Sequence, residues 1–167
     1  MVGGTGSFYN KKISRIETTN FTLSPNGGYF FLDKLAVGLN ANLGYTQTKY
    51  SINQKNDSKV YGVSPFIRYY VLPASNKINL FTQASYGWGK GVTSYSGSDN
   101  KYKVNTTSFS FTAGPVFFIT NNVAVELSLG YGQNNFRSNY GTAANKSKEK
   151  NFQIGIGFQI HLGKGKK

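Results

Sequence analysis

Arg68 and Glu126 are the only ionisable side chains in the middle of long, otherwise uncharged segments. Each lies about four or five residues from a short polar turn. If those segments are strands joined at their turns, the two side chains share a depth, and a guanidinium and a carboxylate taken out of water need one another. Such a pair can act as a gate that breaks to open a passage, or as a plug that satisfies polar groups and fixes packing. Little else could carry chemistry. His161 is the one histidine and there is no cysteine, so thiol catalysis is excluded and a metal cluster or a His/Ser/Asp triad has almost nothing to build from. No carboxylates are paired for hydrolysis, and Gly87-Trp88-Gly89-Lys90-Gly91 lacks the spacing of a phosphate loop. The expectation is a chain with no catalytic residue, no metal and no cofactor, and hence not an enzyme.

The segments that position Arg68 and Glu126 alternate with period two, the mark of strands with unlike faces. Leu35, Val37, Leu39, Ala41, Leu43 and Tyr45 interleave with Ala36, Gly38, Asn40, Asn42, Gly44 and Thr46. The same alternation runs through Tyr61–Val71, Phe109–Ile119, Val123–Gly132 and Phe152–Leu162, and more noisily through Thr19–Leu32 and Ile78–Lys90, with a short first strand over Val2–Asn10. About eight strands result, the number of a small closed barrel. Tight turns at Leu32–Lys34, Pro73–Lys77 and Thr120–Asn122 take turns with longer polar stretches at Lys11–Glu17, Ser51–Lys59, Ser94–Lys103 and Asn139–Lys150, which are expected to be loops. That is an up-and-down antiparallel sheet with its short turns at one end. Pro25, Pro65 and Pro115 recur at matched places in its hairpins; each deletes a ladder donor, and a bulge or a local lapse in pairing would account for them equally well.

The 167 residues carry a net charge of +13, 16% aromatics and a mean hydropathy of −0.38. No apolar run is long enough for a transmembrane helix. A soluble barrel would carry many lysines and glutamates on one strand face. Here both faces of the strand interiors are almost free of charge, and the polar set is Gly, Ser, Asn, Thr and Gln. This fits a barrel whose apolar face meets lipid and whose polar face lines the bore. Tyr29 and Tyr69 near the short turns, and Tyr45, Tyr86, Trp88 and Tyr131 near the polar ends, form the two aromatic belts that two water–lipid interfaces select. In so narrow a bore, crowded by Phe30, Phe66, Tyr70 and Phe118, the plug reading of Arg68 and Glu126 outweighs the gate. His161 faces the same bore near the short-turn rim, in a structural place.

The basic residues gather at the polar-stretch end, opposed only by Glu17, Asp57, Asp99 and Glu149. Lys49, Lys55, Lys59, Lys101, Lys103, Lys146, Lys148 and Lys150 are the expected contacts for anionic lipid. Nucleic acid is disfavoured, since no nucleic-acid module accompanies the charge.

Ser24-Pro25 through Tyr29-Phe30, a short turn, Leu35-Ala36-Val37-Gly38-Leu39-Asn40 and Leu43-Gly44-Tyr45 is a pattern that recurs along nearly the whole chain. It resembles the small eight-stranded outer-membrane barrels of Gram-negative bacteria, of the OmpX and OmpA-barrel type, and most of all the barrel-domain family common in Bacteroidota. The resemblance implies an eight-stranded antiparallel transmembrane β-barrel over residues 1–162 with a basic tail at 163–167. It implies a mature chain in the bacterial outer membrane after signal-peptide removal, with periplasmic short turns, and as partners outer-membrane lipid, lipopolysaccharide and the barrel insertion machinery. Such barrels usually end on an aromatic read by that machinery; here the last strand reads to Leu162, which leaves Phe158 and Leu162 as an internal signal or the tail as an addition. The role expected is structural or surface interaction. A narrow channel gated by Arg68 and Glu126, and an accessory subunit of a larger envelope complex with a protein partner, are the alternatives.

Overall fold

The computed structural model describes residues 1–162 apart from 52–53, 74–75, 99–100 and 141–142. Asp99 and the tail at 163–167 lie outside the described residues. The strands are β1 (Val2–Ile13), β2 (Ile16–Leu32), β3 (Leu35–Ser51), β4 (Gln54–Tyr70), β5 (Ile78–Tyr95), β6 (Lys101–Phe118), β7 (Val123–Tyr140) and β8 (Ala143–Ile160). Each pairs antiparallel with the next, and β8 returns to β1, so the sheet is a closed up-and-down barrel of eight strands. Among the described residues no helix is long and apolar enough to cross a membrane; a closed sheet pairs its backbone groups within itself, and here the closing junction, β1 with β8, is zipped only from Val2↔Ile160 to Gly4↔Phe158.

The face assignment follows the alternation. Leu39, Val63, Ile67, Leu127, Leu129, Ile154 and Ile156 are exposed on the outside. Phe66, Arg68, Tyr70, Phe81, Val116, Ala124, Glu126 and Gln159 are buried inside. The core is therefore confined to the bore and sits at the short-turn end, where Phe66, Tyr70, Phe81, Val116, Ala124 and Met1 cluster and Phe30 and Phe118 pack against them.

Most of the described residues in the polar stretches are paired strand rather than loop. β1 and β2 stay in register to Ile13↔Ile16, and β3 and β4 to Lys49↔Lys55, with Ser51↔Gln54 paired beyond a one-residue shift. β5 and β6 pair to Ser94↔Lys101, and β7 and β8 to Tyr140↔Ala143. The strands run on past the apolar band as a ladder with polar residues on both faces. Once neither face is apolar the period-two signal vanishes, but Thr, Ser, Val and Tyr still favour the extended backbone. β8 also stops at Ile160, two residues short of Leu162.

The three prolines resolve into lapses in pairing. Pro25 pairs with Gly4, Pro65 with Leu39 and Pro115 with Leu80. On the other side the ladder skips from Leu23↔Leu43 to Asn26↔Asn40, from Val63↔Trp88 to Phe66↔Ser85, and from Ala113↔Leu129 to Val116↔Glu126. The register is the same before and after each skip, so no residue has been inserted as a bulge requires. Register shifts occur elsewhere, between Phe30 and Leu32 and between Lys49 and Ser51.

Candidate functional site

Arg68 projects inward from β4 and Glu126 from β7, and the two meet across the bore. Arg68 Nη1 donates to Glu126 Oε1 at 2.5 Å and to the Tyr70 hydroxyl at 3.2 Å, while Nε donates to Gln83 Oε1 at 2.8 Å. The guanidinium carbon lies 4.4 Å from the centre of the Phe81 ring, close enough for a cation–π contact. The two side chains are 5% and 6% exposed, so neither charge could be held there without the other. Beneath them Phe30, Tyr70, Phe118 and His161 form a ring cluster with centroids 5.2–5.9 Å apart. His161 is anchored by its backbone N–H to the Asn122 carbonyl at 2.7 Å.

Phe81, Gln83 and Met1 belong to this assembly, and nothing in the sequence alone marks them for it. In Ile78-Asn79-Leu80-Phe81 apolar residues fall on both faces, so alternation cannot say that Phe81 turns inward. Met1 packs against the same floor, its sulfur 3.7 Å from the Tyr70 hydroxyl.

Above the pair the bore widens into a polar chamber of about 420 Å³. Its walls are Ser24, Asn26, Asn40, Asn42, Ser85, Ser110, Thr112, Asn151, Gln153 and Gln159, and Arg68, Phe81 and Glu126 form its floor. Among the described residues no cluster of His, Asp or Glu could hold a metal.

The structure places Lys49, Lys55, Lys59, Lys101, Lys103, Lys146, Lys148 and Lys150 in the strand extensions, all exposed. All lie on the outward face, on the same side of their strands as the lipid-facing residues below them. Pairing brings some together across strands. Lys59 is opposite Val92, and Val92 is opposite Lys103. One row lower, Tyr61 is opposite Lys90 and Lys90 opposite Asn105. Lys59 and Lys103, two strands apart, are therefore roughly 10 Å from one another at about 4.8 Å per strand. Lys146 and Lys148 stand beside Arg137 and Asn135 on the β7–β8 face. Lys55 lies 3.8 Å from Asp57, which partly offsets its charge.

Just below Lys59 and Lys103 the outer surface carries an apolar groove of about 550 Å³, lined by Leu43, Tyr61, Val63, Trp88 and Thr107, with Lys90 and Asn105 on its edge. Trp88 stacks edge-on against Tyr86 at 5.2 Å. Tyr29 and Tyr69 are exposed on the outer face at the opposite end. Tyr131 packs on Phe152 at 5.2 Å. Tyr45 keeps its ring on the outer face and donates from its hydroxyl to Asp57 Oδ1 at 2.6 Å, and Gln47 Nε2 donates to the same oxygen at 2.9 Å. Those two donors hold the Asp57 carboxyl below its ordinary range, helped by Lys55 and Lys59.

The family model of the outer membrane protein beta-barrel domain matches residues 33–166. The chain is similar in structure to neisserial surface protein A, at 18% identity and a TM-score of 0.55, with 96% of each chain covered. It is similar to the outer membrane protein OprG of Pseudomonas aeruginosa, at 15% identity and a TM-score of 0.53, covering 96% of this chain and 92% of that one. It is also similar to the translocator domain of the autotransporter NalP of Neisseria meningitidis, at 16% identity and a TM-score of 0.56, covering 95% of this chain and 60% of that one. At these identities the likeness is one of fold. No curated protein sequence matches.

Proposed function

The chain belongs to the outer membrane protein beta-barrel domain family, and from its place in the bacterial outer membrane we propose that it is a non-enzymatic barrel whose basic outer collar holds lipopolysaccharide. The observation that carries the reading is the layering on β4, β5 and β6. Lys59 and Lys103 flank Val92 one row above Lys90, which itself lines the groove of Leu43, Tyr61, Val63 and Trp88. Ammonium groups above an apolar groove match a lipid with phosphates on its head and acyl chains below. Trp88 and Tyr61, apolar in body and polar at the tip, suit the boundary between the two. The Arg68–Glu126 pair serves as the plug of this barrel, and its dense surroundings support that role over a gate.

The test is binding of purified protein to vesicles containing lipid A against vesicles of phosphatidylcholine. At about 1 kcal/mol per lysine near an anionic surface, replacing Lys59, Lys90 and Lys103 by Gln removes about 3 kcal/mol, roughly a hundredfold in affinity. Heat-modifiable gel mobility of the triple variant remains that of the wild type. Equal lipid A binding by both proteins would refute the reading.

A further inference from the structure

We propose that the seam between β1 and β8 is a lateral portal, through which the lumenal chamber takes the uncharged polar head of a single-chain amphiphile from the membrane. This rests on membrane embedding alone, not on the lipopolysaccharide reading; the basic groove over β4–β6 is a separate surface.

The seam differs from the other strand junctions. β1 and β8 pair at Val2↔Ile160, Gly3↔Gln159 and Gly4↔Phe158 only, whereas β7 and β8 stay paired from Val123↔Ile160 to Tyr140↔Ala143. Continuing the register would set Thr5 against Gly157 and Ser7 against Gly155. The first contact nearly survives: a methyl group built on Gly157 would lie 3.4 Å from Thr5 Cγ2. The second does not. Beyond Gly4↔Phe158 no β1–β8 pair is formed, and no β1 atom lies within 4 Å of a methyl group built on Gly155. The strands therefore splay just above Thr5. Glycines on both margins, Gly4 and Gly6 on one and Gly155 and Gly157 on the other, offer no side chains to close the gap. Outward residues on β8 lack a flank as a result: Phe152 is 85% and Ile154 76% exposed, against 58% for Leu39 on a strand paired on both sides.

The opening leads into the chamber, whose near wall is Gly4, Thr5, Asn151, Gln153, Gly157 and Gln159. Two acceptors there have no partner, Asn151 Oδ1 and Gln159 Oε1, and Gln159 is only 2% exposed. A buried acceptor without a donor is costly, and so is an unpaired strand edge facing hydrocarbon. A head rich in hydroxyl or amide N–H groups answers both, while its chain leaves between Phe8 and Ile156 into lipid. At the roughly 30 Å³ that one liquid water occupies, the chamber has room for about a dozen non-hydrogen atoms, the size of one sugar ring. The walls carry no charge apart from the floor pair, which excludes an ionic head.

The test uses an alkyl glucoside with a photoactivatable diazirine on its sugar, added to the protein in nanodiscs, and adducts are mapped by mass spectrometry. In the wild type, adducts are expected on lumenal residues such as Ser24, Asn26 and Gln153. In a Ser7→Cys/Gly155→Cys variant they fall at least tenfold on oxidation and return on reduction. Should that variant not fold, hydrogen exchange on the wild type decides: the Gly6–Asn10 amides facing β8 exchange at least a hundredfold faster than the paired amides of β7. Adducts confined to outward residues, lumenal adducts that persist in the oxidised variant, or seam amides protected like those of β7 overturn the portal. The first would leave a wall without entry, the second an entry through the mouth, and the third a zipped ladder or an edge occupied by another strand.

Discussion

Arg68 and Glu126, 58 residues apart in the chain, meet across the bore at 2.5 Å and form the floor of the chamber. Removing either partner leaves a charge buried among Phe66, Tyr70 and Phe81. Arg68→Met or Glu126→Leu alone is expected to cost about 3–5 kcal/mol, and the double variant less than the sum of the two. Urea unfolding in lipid vesicles measures all three. Additive losses, or single losses under about 0.5 kcal/mol, would show that the pair is not coupled.

As a plug the floor does not depend on one ion pair for its seal. Planar-bilayer recordings of the wild type are expected to show no defined conductance steps, and Arg68→Ala none either, since Phe66, Tyr70, Phe81 and the His161 ring cluster stay in place. Discrete steps in the variant alone would make the pair a gate.

Two glycines separate packing from mere sequence. A Cβ on Gly38 would fall on the Gly27 carbonyl and the Phe66 ring, whereas one on Gly27 meets nothing within 4 Å. Gly38→Val should cost about 1–3 kcal/mol by pushing Phe66 away from the floor, and Gly27→Ala should stay within about 0.5 kcal/mol of wild type. Urea midpoints of the two, compared directly, decide it; equal effects would contradict the close approach.

Asp57 reports on the outer collar, beyond the aromatic belt. Its carboxyl is held below the ordinary range by hydrogen bonds from Tyr45 and Gln47 and by the charges of Lys55 and Lys59. A depressed carboxyl contributes stability above its unfolded value of about 3.9, and that contribution fades as the pH falls through the lowered value. A carboxyl-carbon NMR titration should give a midpoint below the ordinary one, and Tyr45→Phe should move it back upward. A midpoint unchanged by the substitution would remove Tyr45 as the cause.

How far the molecule can be read from its sequence depends on contrast between faces. From Leu35 to Tyr45 one face is greasy and the other polar, and both the strand and its orientation follow. From Lys49 to Lys59 both faces are polar, and a paired ladder there looks like a loop. Arg68 and Glu126 stood out because each is a lone charge in an uncharged stretch. Phe81 did not, because its neighbours are apolar on both sides. The proline lapses and the opening at Gly155 are relations between strands, and no single segment carries a trace of either.

The orientation of the barrel wall underlies everything else, and nuclear Overhauser contacts to lipid in nanodiscs measure it directly. With acyl-chain protons as the source, the methyls of Leu39, Leu127 and Ile156 should show strong contacts, while the side-chain amides of Asn40 and Gln159 show none. Acyl contacts to Asn40 and Gln159, with Leu39 and Ile156 silent, would mean that the sheet is rolled the other way and that neither the plug nor the collar exists.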